Sequence, residues 1–140
     1  MSSSEPVTKP RPTLAPHPID PAVRIGHVHL KVADLERALQ FYCGVLGFEL
    51  TQRRGDRAAF VSAGGYHHHV GMNTWTSAGA PPPPPGARGL DWYQVLLPGQ
   101  DELRAEAERL EAAGVPLEQR DDGLVATDPS GNRTLLSAAQ

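Results

Sequence analysis

The chain has 140 residues, 39% of them hydrophobic, and a formal net charge of -3. That length suits one domain, or two half-domains that share a core. The charge excludes the clustered Lys and Arg surface that nucleic acid or an anionic membrane requires, which leaves a small molecule as the expected partner. No apolar run has the length of a membrane span, and the first residues lack the basic-then-apolar order of a signal peptide. The single cysteine, Cys43, has no partner for an internal disulfide. A reducing, cytoplasmic setting is the expectation.

Residues 1–22 are rich in Pro, Ser and Thr and are expected to form a flexible tail, with His17 taking no part in function. A strand follows at about 24–32. Alternation sends Val28, Leu30 and Val32 to one face and His27, His29 and Lys31 to the other. Asp34 is placed to cap a helix whose apolar stripe is Leu35, Leu39, Tyr42 and Leu46, widened by Ala38, Phe41 and Val45 and ended by Gly47. Cys43 falls inside that helix and reads as a buried thiol rather than a nucleophile. Two short strands, 48–53 and 57–63, flank a turn at Gly55 and Asp56. The segment GGYHHHVGMN, 64–73, is then predicted as a strand. Its alternation puts His68 with Val70 and Met72, and His67 and His69 with Asn73, on the face that His27 shares.

The linker, 75–88, contains the run Pro81 to Pro85, which favours an extended polyproline spacer over a central strand. Beyond it come a strand at 90–97 and a helix at 101–113 with Leu103, Ala107 and Leu110 inward. The charged remainder of that helix reads as a solvated face. Strands at 115–120, 123–127 and 132–136 complete the chain, the last two joined by a DPSGN turn. Asp34 and Asp128 are therefore read as a cap and a turn residue, not as catalysts. The order β-α-β-β-β occurs twice, as module one (about 24–74) and module two (about 89–137) of a single α+β domain, 23–140. Neither half buries its apolar face alone, so the two are expected to pair around a concave interior. Tyr93 is expected in the core, while Gln94 follows Trp92 into that interior.

The runs GHVHLKVADLERALQFYCGVLGFEL, AGGYHHHVGMNTW, GAPPPPPG and DPSGN resemble the vicinal oxygen chelate superfamily, which includes glyoxalase I, bleomycin-resistance proteins and extradiol dioxygenases. The likeness is strongest to the amino-terminal half of catechol 2,3-dioxygenase-like members. It implies two βαβββ modules pairing into a curved-sheet cup. It also implies metal ligands and catalytic groups at His27 and His69, where a one-residue slip in the histidine run nominates His68 instead, and a third imidazole such as His67 or His29 would complete a three-histidine site. At the matching places in module two, relatives carry histidine and glutamate where this chain has Trp92 and Leu135. No carboxylate therefore completes the two-His, one-carboxylate iron site of an extradiol dioxygenase, and the metal-bound glutamate base of glyoxalases is missing too. Two functions follow from the resemblance. One is a divalent-metal enzyme (Zn, Fe, Mn or Ni) acting on an oxygenated or aromatic substrate. The other is a metal-free binding or antibiotic-sequestering protein whose pocket is walled by Trp92, Gln94, Leu135 and His29. A homodimer is expected in either case.

Overall fold

The structure, a computed structural model, describes residues 18–139, so the first 17 residues of the expected tail, with His17, lie outside it. Eight strands and two helices follow in the order β-α-β-β-β, twice. Module one comprises β1 (Val28–Lys31), α1 (Leu35–Leu39) with a π-helical continuation (Gln40–Val45), β2 (Glu49–Arg54), β3 (Ala58–Ser62) and β4 (Val70–Asn73). Module two comprises β5 (Tyr93–Leu97), α2 (Gln100–Ala112), β6 (Leu117–Arg120), β7 (Gly123–Thr127) and β8 (Arg133–Ala138). The strand orders correspond, β1-β4-β3-β2 and β5-β8-β7-β6, and in each sheet the first strand pairs with the last in parallel while the other pairs are antiparallel. The α+β fold is thus two βαβββ modules forming curved sheets, as the resemblance implied. No helix among the described residues is long and apolar enough to cross a membrane.

Local chemistry explains the boundaries. Asp34 caps α1 with its carboxylate, which accepts from the Arg37 N–H at 3.1 Å. The helix then widens, the Leu46 N–H donating to the Phe41 carbonyl at 2.9 Å, five residues back. That wider turn puts Phe41 and Tyr42 both inward, and Gly47 ends it at a φ of 93° that few other residues adopt. The linker does not pair with either sheet, and Pro81 to Pro85 are exposed throughout.

One core serves both modules. Leu30, Val32, Val70 and Met72 of the first sheet cluster with Phe41, Tyr42, Leu110, Leu124 and Leu136, all buried. Truncating one such leucine to alanine costs about 2–5 kcal/mol. Polar bonds fix how the modules meet. The Tyr42 hydroxyl donates to Asp128 Oδ2 at 2.7 Å, while Asp128 Oδ1 accepts from the Ser130 and Asn132 N–H groups, each at 2.8 Å. From the same turn, Asn132 Nδ2 donates to the Lys31 carbonyl at 2.9 Å, and Ser130 Oγ accepts from the Ala33 N–H at 2.9 Å. Burial, followed by neighbouring Tyr93 and Asp128, holds the Tyr42 hydroxyl protonated well beyond its ordinary range. Asp128 therefore closes its own turn and also latches it to the first helix.

Candidate functional site

Along β1 and β4, Val28 stands opposite Val70 and Leu30 opposite Met72, turned to the core. His29 and Gly71 share the other face, with Phe60 of β3 in register beside Gly71. Glycine is needed there because a Cβ on residue 71 would lie 2.8 Å from His29 Nδ1 and 3.2 Å from the Phe60 ring. Asn73 orients the imidazole. Its Oδ1 accepts from the Trp75 N–H at 3.1 Å, which leaves Nδ2 to donate to His29 Nε2 at 2.7 Å and puts the ring proton on Nδ1. Burial, then the charge of His27, pushes the His29 pKa down, so the ring is neutral at pH 7. Trp75 lies 5.7 Å from this ring, centroid to centroid, and is exposed.

The histidine run does not follow strand alternation, because β4 begins only at Val70. Gly64 and Gly65 turn the chain at φ 68° and 82°, and it bends at His67 and again at His69. The expected sorting of His67 and His69 against His68 is corrected accordingly. It is His68 that packs on His27, 4.3 Å between centroids, and on Phe60 at 5.0 Å. His67 lies between Tyr66 and His68, at 4.1 and 4.7 Å. His69 turns elsewhere, accepting the Ala63 N–H on Nδ1 at 3.2 Å and lying 4.6 Å from Tyr66 and 6.4 Å from Phe48. Burial and the four surrounding imidazoles lower the His68 pKa.

Module two uses the matching positions differently. Trp92 precedes β5 and lies under the Arg120 guanidinium at 5.2 Å. Leu135 is fully buried, in register between Gln94 and Val125, and so has no surface to offer a ligand. Gln94 is exposed and donates to Ser137 Oγ at 3.1 Å. Tyr93 packs against the core, where burial pushes its hydroxyl pKa up to about 12.

β1 and β5 each pair on one edge only, and their other edges border a common cavity of about 650 Å³. Its walls are mostly apolar, with Val28, Phe48, Val70, Val95, Leu97 and Leu136 among them. Of the residues singled out in the sequence, His27, His69 and Gln94 line it, whereas His29, His67, Trp92 and Leu135 do not. It also contains a group that the sequence reading left on a solvated face. Glu106 of α2 is only 6% exposed, its Oε1 bonded to Arg109 Nη2. Burial raises its pKa, with Arg109 acting in the opposite sense. Position 106 lies three residues after Leu103 and four before Leu110, which is the spacing that signals an inward side chain.

The imidazoles do not fit a metal site as arranged. Among the described residues no group of three His, Cys, Asp or Glu side chains is placed to hold a metal ion. His67 and His68 turn Nδ1 toward Nδ1, 3.1 Å apart, with no third ligand from His, Cys, Asp or Glu grouped with them among the described residues. Of the two second-module counterparts, indole and isobutyl groups supply no ligand.

Comparison with known proteins agrees with the fold. A catechol-2,3-dioxygenase from Bacillus subtilis (strain 168) is 49% identical over 106 residues, 75% of this chain but only 37% of that protein. A lactoylglutathione lyase from Agrobacterium tumefaciens superposes with a TM-score of 0.65 at 22% identity, covering 86% of this chain and 96% of the other. An antibiotic binding protein from Streptomyces sp. CB03234 superposes with a TM-score of 0.57 at 23% identity, covering 85% and 98%. Residues 24–136 match the family model of the Glyoxalase/Bleomycin resistance protein/Dioxygenase superfamily, and the chain belongs to that superfamily.

Proposed function

We propose that the protein binds an oxygenated or aromatic small molecule in the cavity between its modules, with His27, His69 and Gln94 as polar contacts and no resident metal. The observation that carries this reading is the cavity itself, which draws two imidazoles from one module and an amide from the other into apolar walls. Its volume falls within the roughly 300–1,000 Å³ usual for small-molecule sites. With Nδ1 of His69 engaged by a backbone N–H, the neutral ring carries its proton on Nε2 and can donate it to a ligand oxygen. A fold shared with an antibiotic binding protein supports the binding role.

A second reading places a divalent metal, Zn, Fe, Mn or Ni, on His27 with His69 and His67. The likeness to a catechol-2,3-dioxygenase favours it. It requires the imidazoles to rearrange. A homodimer remains part of either proposal. Cys43, a half-buried thiol raised in pKa by burial, suits a cytoplasmic, reducing setting. The test is metal content of protein purified without chelator, together with a calorimetric titration of 2-methylnaphthalene. Saturable binding by metal-free protein is expected. Stoichiometric metal that disappears in both His27→Ala and His69→Ala overturns this reading in favour of the second.

A further inference from the structure

We infer that the cavity selects an apolar ligand bearing a cationic nitrogen, and that Glu106 is the residue that selects it. The inference rests on the cavity being the ligand site. Apart from the two imidazoles at His27 and His69, Glu106 is the one titratable acid or base among the described lining residues whose charge lies at the wall, since Tyr93 keeps its proton. Its side chain is buried on the middle of α2, and among the described residues its carboxyl group accepts one bond, from Arg109 to Oε1. Arg109 does not line the cavity. Its side chain is 53% exposed and also donates to the Val45 carbonyl at 3.2 Å, so water screens its charge, while Glu106 lines the mostly apolar cavity.

A largely buried carboxylate at the wall of a cavity attracts a donor and repels an anion, and both effects grow as water leaves the cavity. The walls demand an apolar body, and Glu106 demands a positive or hydrogen-bond-donating end. An ammonium or amidinium on an aromatic frame satisfies both. A carboxylate or phosphate on the same frame would bring like charge beside Glu106.

Three probes with one ring system separate these cases at pH 7.5: 2-methylnaphthalene, 1-naphthylmethylamine and 1-naphthylacetate. The expected order is amine tightest and acetate weakest, with at least a tenfold gap between them. Glu106→Gln, its fold checked by circular dichroism, removes the gap. Arg109→Gln, which takes away the competing cation, tightens the amine. Acetate binding as well as amine, or the gap surviving in Glu106→Gln, overturns the inference and leaves the cavity reading standing. Failure of all three probes to bind overturns both, and weaker amine binding in Arg109→Gln overturns the role of Glu106.

Discussion

The two modules share strand order and the parallel pairing of first strand with last, but they put different chemistry on equivalent positions. In module one the residue before β1 is His27, its ring against His68, and β1 carries His29 on Asn73. In module two the same places hold Trp92 under Arg120 and Gln94 on Ser137, and β8 contributes Leu135, which is fully buried. One copy of the motif keeps exposed imidazoles, while the other has turned matching positions into core packing, a cation–π contact and a neutral hydrogen bond. Repetition of a fold therefore does not imply repetition of a site, and the cavity bordered by β1 and β5 is where both modules contribute lining residues.

This contrast can be broken by substitution. Leu135→Ala should cost about 2–5 kcal/mol of stability, whereas His27→Ala, at an exposed position, should stay within about 0.5 kcal/mol. Urea unfolding of both variants checks this, and equal losses would erase the distinction between a packing half and a site half. A smaller effect is expected at the joint between the modules. Asp128→Ala leaves the buried Tyr42 hydroxyl without its acceptor and should cost about 1–3 kcal/mol, against about 1 kcal/mol for removing the exposed cap with Asp34→Ala.

Glu106 gives a pH-dependent test. Its pKa is raised in the folded state above the ordinary 4.5, so between those two values the folded chain binds more protons than the unfolded one. Its contribution is fully present below about pH 4.5 and is lost as pH rises through the raised value. Wild type should therefore gain stability relative to Glu106→Gln on acidification from neutral pH, as thermal melts across that range would show. The smallest effect belongs to the outer face of module two. Arg133 pairs with Asp91 and Glu118, all partly or largely exposed, and Arg133→Met should change stability by less than about 1 kcal/mol.

Much of this architecture was legible in the sequence because it rests on short-range rules. Asp34 and Gly47 mark the ends of the first helical segment, and Val28, Leu30 and Val32 alternate into the core as their spacing requires. Legibility failed where backbone conformation departs from a regular element. His67 to His69 were assigned to a strand, but two glycines at positive φ break the alternation, and His68 rather than His69 meets His27. Leu135 was placed on a ligand wall because its partner strands were unknown, and it is buried on β8, which lies between β5 and β7. Glu106 was missed because charge was weighed above spacing. The cavity itself depends on how two sheets approach each other, which no local pattern encodes.

The most direct test of the account is a methyl-detected NMR titration of the metal-free protein with 2-methylnaphthalene. Shift changes are predicted at Val28, Val70, Val95, Leu97 and Leu136, which line the cavity. Changes confined to His68, Phe60 and Trp75 in a parallel aromatic-region spectrum, with those five methyls unmoved, would contradict it.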